Sequence, residues 1–186
     1  MTDTPRAQPG PAPGSTRKGP GGPRRARPDV GRALGWGALG LVGLLLVAQL
    51  VPYGRDHGNP PVTKAAALDP ATRQIVAVAC ADCHSNLTRW PWYTHVAPAS
   101  WLAQSDVDGG RQILNFSRWD LPQPALRKVE EAVLEGEMPP LKYRLLPNHA
   151  DARLSGAERR RLVDGLRRLY ATDPPPIKPI GTQPRQ

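Results

Sequence analysis

The stretch Cys80-Ala81-Asp82-Cys83-His84 decides how this chain is interpreted. Two thiols three residues apart, followed directly by an imidazole, form the pattern for covalent haem attachment. Each thiol forms a thioether bond with the macrocycle, and the histidine binds the iron from one face. The chain has two cysteines in all, so this one site uses both. The pattern predicts one covalent haem c bound by Cys80, Cys83 and His84.

A Cys-x-x-Cys pair also occurs as a redox disulfide or as half of a zinc site. A structural zinc site needs four ligands, usually with a second close pair. A thioredoxin-like site needs a strand before the pair, whereas the residues preceding Cys80 have a helical pattern. The other histidines are scattered singly, at His57, His95 and His149.

The N-terminal part of the chain contains a basic tail and an apolar segment. Residues 1–31 are rich in glycine, proline and arginine and have few large apolar residues, so we expect a disordered tail. Ala33 to Val51 follow without a charge, and residues 32–53 are long enough to form a transmembrane helix. A cleaved signal peptide is the alternative, but its apolar stretch is normally shorter and ends in a small-x-small site.

The distribution of charge predicts the orientation of that helix. Seven basic residues precede it, and Arg55 beside Asp56 follows it. The N-terminus is therefore expected in the cytoplasm and the Cys-x-x-Cys-His domain across the membrane. Because the excess of the +9 net charge lies mainly in this tail, the sequence does not indicate nucleic-acid binding. The basic residues are Arg6, Arg17, Lys18, Arg24, Arg25, Arg27 and Arg32.

After a linker over residues 54–67, residues 68–172 are expected to form the folded domain, and residues 173–186 a disordered proline-rich tail. Helical spacing and end signals predict four helices in the domain. The first begins after Asp69 and leads into Cys80, and the second starts near Pro98 and stops at Gly109-Gly110. The third runs from Pro124 to Gly136. The fourth begins with the capping box Ser155-x-x-Glu158.

Met138 is the candidate for the sixth iron position, because it is the only methionine besides the initiator and lies in a proline-stiffened loop. A thioether ligand favours Fe(II) and suits electron transfer. An ordinary methionine packed in the core is the alternative. His95 and His149 are the competing ligands. His95 follows His84 by only eleven residues, a short loop for passing around a porphyrin edge.

The order of these features resembles class I cytochromes c, and more specifically the bacterial haem-binding domain family. The resemblance covers roughly residues 68–170 and implies an all-α, cytochrome c-like domain with a c-type haem, here behind one N-terminal transmembrane helix. Haem of this type is attached outside the cytoplasm. The family is named for its cofactor, so no reaction or partner follows. The matching motifs are Cys83 to Asn86, Thr88 to Tyr93, Val96 to Pro98, Ser100 to Leu102, Leu114 to Ser117 with Trp119, Gly136 to Pro140, and Leu154 to Glu158.

The aromatic residues are candidates for the walls of the haem pocket, since flat rings exclude water from the iron. Ordinary core residues are the alternative. Two or three of the set are expected to line the pocket. His84 is expected to donate its second ring N–H to the carbonyl of Pro91 or Pro98, by analogy with class geometry. The candidates are Trp90, Trp92, Tyr93 and Trp101, with Trp119 beside them.

Three functions from different classes are compatible with these features. The first, and preferred, is a membrane-anchored monohaem electron carrier with unknown redox partners. The second is a haem-based sensor or small peroxidase-like protein, which requires an open distal position. The third is a thiol-redox or metal-binding module that uses Cys80 and Cys83.

Overall fold

The computed structural model describes residue 10, residues 30–55 and residues 57–179. Most of the predicted basic tail and the last part of the predicted C-terminal tail lie outside these residues. The chain divides into two compact units, Met1–Gly40 and Leu41–Gln186. The described part of the first unit contains the beginning of the apolar helix, and its side chains are exposed. The second unit contains the remaining elements.

All regular secondary structure within the described residues is helical, which confirms the all-α prediction. In the described part of the chain, seven α-helices are accompanied by two short 3-10 helices, Trp92–His95 and Pro147–Ala152. One of the seven, α1, is long and apolar enough to cross a membrane, and none of its residues is buried. The α-helices are α1 Val30–Ala48, α2 Pro70–Ala79, α3 Ala81–His84, α4 Ala99–Ile113, α5 Leu126–Leu134, α6 Leu141–Leu145 and α7 Gly156–Thr172.

The helices α2 and α7 pack directly against each other. Asp69 caps α2 by accepting a hydrogen bond from the Thr72 backbone N–H (3.0 Å), and α7 begins with the predicted capping box of Ser155 and Glu158. At the contact, the buried Thr72 lies against Gly165, where a side chain of any size would overlap it. The close crossing of α2 and α7 therefore requires a glycine at position 165.

Trp119 is at the centre of the core and is fully buried. Its ring stacks with Phe116 (5.9 Å between centroids) and meets Tyr170 edge-on (5.4 Å). Apolar residues of α2 and α7 form a large part of this core: Ile75, Val76, Ala79, Leu162, Val163, Leu166 and Leu169.

The end of the predicted linker forms part of the domain. The Ala66 N–H donates to the Phe116 carbonyl (2.8 Å), and the Trp119 N–H donates to the Lys64 carbonyl (2.9 Å). Ala66 and Leu68 are buried in the core. The domain therefore starts before residue 68, because this extended segment pairs with residues 116–119 through backbone hydrogen bonds.

The start of the predicted C-terminal tail is also ordered. Residues 174–179, here called the C-terminal strap, follow α7 and run beside Gln123. The Gln123 N–H donates to the Pro176 carbonyl (2.7 Å), and the Lys178 N–H donates to the Gln123 carbonyl (2.8 Å). In this structure, these backbone bonds hold the strap beside Gln123, in a region where the sequence predicts a disordered tail.

Candidate haem site

The Cys-x-x-Cys-His motif lies at a break between two helices. Cys80 ends α2 and precedes the single turn of α3, which ends at His84. The backbone N–H groups of Cys83 and His84 donate to the Cys80 carbonyl (3.2 and 2.9 Å). This turn holds both sulfur-bearing residues and the imidazole in one rigid unit.

Both cysteines are free thiols in largely buried positions. Burial raises the pKa of Cys80 to about 12 and that of Cys83 to about 12. A redox-active thiol needs a lowered pKa because the thiolate is the nucleophile. The surroundings of this pair therefore do not favour thiol-disulfide exchange.

His84 is oriented by helix α4. Its Nδ1 lies 2.9 Å from the Gly110 carbonyl and 3.1 Å from the Leu114 carbonyl, so Nδ1 carries the hydrogen and donates. Burial lowers the pKa of His84, and the two carbonyls offset part of this effect. The ring is therefore a neutral imidazole whose Nε2 lone pair is available to a metal. The prediction that the Pro91 or Pro98 carbonyl accepts this hydrogen bond was wrong. The carbonyls at the end of α4 accept it instead.

The close approach of α4 to the Cys-x-x-Cys-His motif depends on Gly110. A Cβ at Gly110 would lie 2.9 Å from the Cβ of Cys83 and closer still to the Cys83 carbonyl oxygen. The predicted stop of the helix at Gly109-Gly110 was wrong, because α4 continues to Ile113. Gly110 allows α4 to pack closely against α3, and it does not end the helix.

A cavity of about 570 Å³ opens beside the motif, within the range of ~300–1,000 Å³ typical of ligand sites. Cys80 and His84 line it from one part of the chain and Met138 from another. Phe116 contributes one aromatic ring. Apolar side chains form much of the remaining wall: Ile113, Leu114, Val129, Ala132, Val133, Leu162, Leu166 and Ile177.

Met138 is held at the cavity by the turn that follows α5. Gly136 adopts a positive φ of 82° there, which L-residues rarely adopt. The Met138 N–H then donates to the Ala132 carbonyl (2.9 Å). The turn thus returns the chain toward α5 and places Met138 in the lining.

Charged side chains also line the cavity. Lys178, from the C-terminal strap, donates through Nζ to the carbonyls of Gln112 and Ile113 at the end of α4 (2.7 Å to Ile113). A cation at this end complements the helix dipole, while burial lowers the pKa of Lys178. The other charged lining residues are Lys128, Glu131, Glu135 and Glu137.

Asp82, between the two cysteines, joins the motif to distant parts of the chain. Its buried carboxylate accepts from Arg89 Nε and NH2 (3.2 and 3.0 Å) and from the Tyr143 hydroxyl (2.7 Å). Burial raises the pKa of Asp82, but these hydrogen bonds outweigh it and leave the pKa below its usual value. Sequence reasoning missed this role, because Arg89 and Tyr143 carry no local signal that they meet Asp82.

The four predicted aromatic residues do not line this cavity. Trp90 stacks on His57 (3.9 Å between centroids), and Trp92 is 79% exposed. The Tyr93 hydroxyl lies 3.1 Å from His149 Nε2, and Trp101 is half-buried in α4. The lining of this cavity gives no support for an aromatic wall made by these four residues, and their role in binding haem stays a prediction.

The competing histidines are also outside the lining. His149 stacks on Tyr143 (3.9 Å) and is buried, while His95 is exposed and meets His57 edge-on. Within residues 30–55 and 57–179, no group of three or more His, Cys, Asp and Glu side chains is placed to hold a metal ion. The zinc alternative therefore gains no support from the described part of the chain.

A haem-binding domain family matches the chain over residues 43–168. This range contains the Cys-x-x-Cys-His motif, the turn at Met138 and most of α7. No curated protein matches the chain, and no solved structure matches it.

Proposed function

Because this chain belongs to the haem-binding domain family, we propose that it is a membrane-anchored cytochrome with one covalent haem c and one-electron transfer as its activity. Cys80 and Cys83 would form the thioether bonds. His84 and Met138 would bind the iron.

The observation that carries this proposal is the cavity that Cys80, His84 and Met138 line together. His84 and Met138 are far apart in the chain and reach this cavity from α3 and from the turn after α5. The imidazole has its Nδ1 hydrogen engaged and its Nε2 available. The donor set of two thiols, one imidazole and one thioether fits a c-type haem.

Haem supplies an iron that changes its charge by one electron, with a potential set by its ligands and surroundings. The chain's own groups prepare that environment. The Gly110 and Leu114 carbonyls fix the tautomer and the orientation of His84. The apolar part of the lining would reduce the contact of the haem with water, which favours the less charged state of a buried group.

Two findings favour this function over the alternatives. The raised pKa of both thiols is unfavourable for a thiol-redox module. A sensor or peroxidase needs an open distal position, whereas Met138 lines the cavity as a candidate second axial ligand.

We further propose that α1 anchors the protein in the bacterial cytoplasmic membrane. None of its 19 residues is buried, and its one charged residue, Arg32, lies near the beginning. The basic residues before it support a cytoplasmic N-terminus and an extracytoplasmic haem domain. Covalent haem attachment outside the cytoplasm agrees with this orientation.

Covalent attachment is tested by replacing both thiols. Wild-type protein from cells that mature exported cytochromes c should keep its haem on a denaturing gel and show the added mass of one haem. The Cys80→Ala/Cys83→Ala variant should lose both signals, because the thioether bonds have no sulfur. Ala81→Ser, which changes a residue between the thiols, should keep them. Unstained wild-type protein from such cells would contradict the proposal.

The distal ligand is tested with Met138→Ala. Loss of the thioether should remove the long-wavelength absorption band of sulfur-bound ferric haem, lower the midpoint potential and let CO bind the reduced protein rapidly. The control is Ile177→Ala, which removes an apolar side chain from the same cavity but no ligand. An unchanged spectrum in Met138→Ala would show that another group occupies this position. Rapid CO binding by the wild type would favour a sensor or peroxidase.

A further inference from the structure

The residue that follows α1 is hydrogen-bonded directly to the haem domain. Gln49, directly after α1, donates through Nε2 to the Ala97 carbonyl (3.0 Å) and accepts from the Ala97 N–H (3.1 Å). Ala97 is buried. One side chain thus satisfies both backbone groups of Ala97, in a geometry that a flexible tether does not provide.

The residues that follow Gln49 continue along the same part of the domain. Gly54 is buried and has a positive φ of 72°, and a Cβ there would lie 2.6 Å from the Ser100 carbonyl oxygen. His57 lies between the Thr94 carbonyl (2.6 Å from Nε2) and Gln104 Oε1 (3.2 Å from Nδ1). The first part of the predicted linker is therefore packed against residues 94–104.

Around this junction, the domain exposes large apolar and aromatic side chains. We call the group of Leu50, Tyr53, Trp92 and Val96 the junction face. Leu50 is 78% exposed and Trp92 79%, and Tyr53 and Val96 are each about half exposed. Trp92 belongs to the 3-10 helix that ends just before Val96 and Ala97, so it lies close to the end of α1.

The segment from Leu87 to Ser105 is rich in aromatic residues and contains no Asp or Glu. Its titratable residues are Arg89, which is paired with Asp82, together with Tyr93 and His95. Tryptophan and tyrosine concentrate where bilayer meets water. The aromatic residues that do not line the haem cavity thus have the composition of a membrane-interface segment.

We propose that the junction face lies in the headgroup region of the membrane that α1 spans, with Trp92 inserted among phospholipids. This inference rests on the proposed anchor, because continuity of the chain from α1 to Gln49 brings this part of the domain to the bilayer. The occupant is phospholipid. The haem domain is then seated on the membrane with a defined side toward it.

The experiment uses the full chain with haem, reconstituted in vesicles of phosphatidylethanolamine and radiolabelled phosphatidylglycerol. The photoreactive residue p-benzoylphenylalanine replaces one residue per variant, at Trp92, Leu44 or Leu134. Leu44 lies within α1 and reports the anchor itself. Leu134 is about half exposed at the end of α5, which packs only against α7 among the described helices. Leu134 therefore reports exposed apolar surface away from the junction.

We expect labelled lipid to cross-link at positions 44 and 92, and several-fold less at 134. The haem absorption spectrum confirms that each variant is folded. Cross-linking at 44 with no excess at 92 over 134 overturns the inference and leaves the anchor intact. Failure at 44 rejects the anchor and the inference together. A cross-link from position 92 to a second polypeptide in place of lipid also overturns it.

Discussion

Gly110→Ala should reduce the yield of haem-loaded protein by about 10–100-fold, the usual cost of disturbing a group that orients a metal ligand. The added methyl group would lie within van der Waals overlap of the Cys83 backbone. Helix α4 must then move away from α3, and the Gly110 carbonyl moves away from His84 Nδ1. The measurement is haem stain on a denaturing gel, normalised to the amount of protein.

Gly109→Ala is the matched control, because it makes the same change one residue earlier in the same helix. Nothing lies within 4 Å of a Cβ at Gly109. Replacing a glycine in a helix interior then stabilises by about 0.5–1 kcal/mol, and haem yield should be unchanged. Equal yields in the two variants would show that the close approach at Gly110 is unimportant for loading.

Gly165→Ala should be the most destabilising single change at the crossing of α2 and α7. The new Cβ would overlap Thr72 Oγ1 and lie 2.6 Å from its methyl carbon, and Thr72 is fully buried. Overpacking at such a contact costs about 3 kcal/mol or more. For a domain of this size, we expect the melting temperature to fall by about 10–20 °C.

Gly156→Ala, in the first turn of the same helix, is the control. A Cβ there would meet only the end of the flexible Arg160 side chain at 3.5 Å, so its melting temperature should stay close to that of the wild type. Thermal unfolding followed by circular dichroism compares the two variants. A similar melting temperature for Gly165→Ala would mean that α2 and α7 separate at little cost.

Local signals in the sequence predicted much of the fold. The cap at Asp69, the capping box at Ser155 and Glu158 and the apolar spacing of α7 are properties of neighbouring residues, and they were confirmed. The haem-binding family was recognised from short motifs, and the match over residues 43–168 confirms it. The predicted roles of Cys80, Cys83, His84 and Met138 in binding haem remain predictions.

Long-range contacts could not be predicted in the same way. A glycine pair ends many helices, and only the position of α3 shows that Gly110 is a packing glycine. The acceptors of His84 also depend on where α4 ends. The composition of the Trp90 to Tyr93 motif fits a cofactor wall and a membrane interface alike, so its role stays a prediction. Residues 173–179 have the composition of a tail, and their order depends on Gln123 and Trp119.

The C-terminal strap has a consequence for biogenesis. Ile177, Lys178 and Pro179 belong to the cavity wall, yet they leave the ribosome after every other residue of that wall. Until these residues have been synthesised, that side of the cavity wall is incomplete. Closure of the wall therefore depends on residues that follow the last helix of the domain.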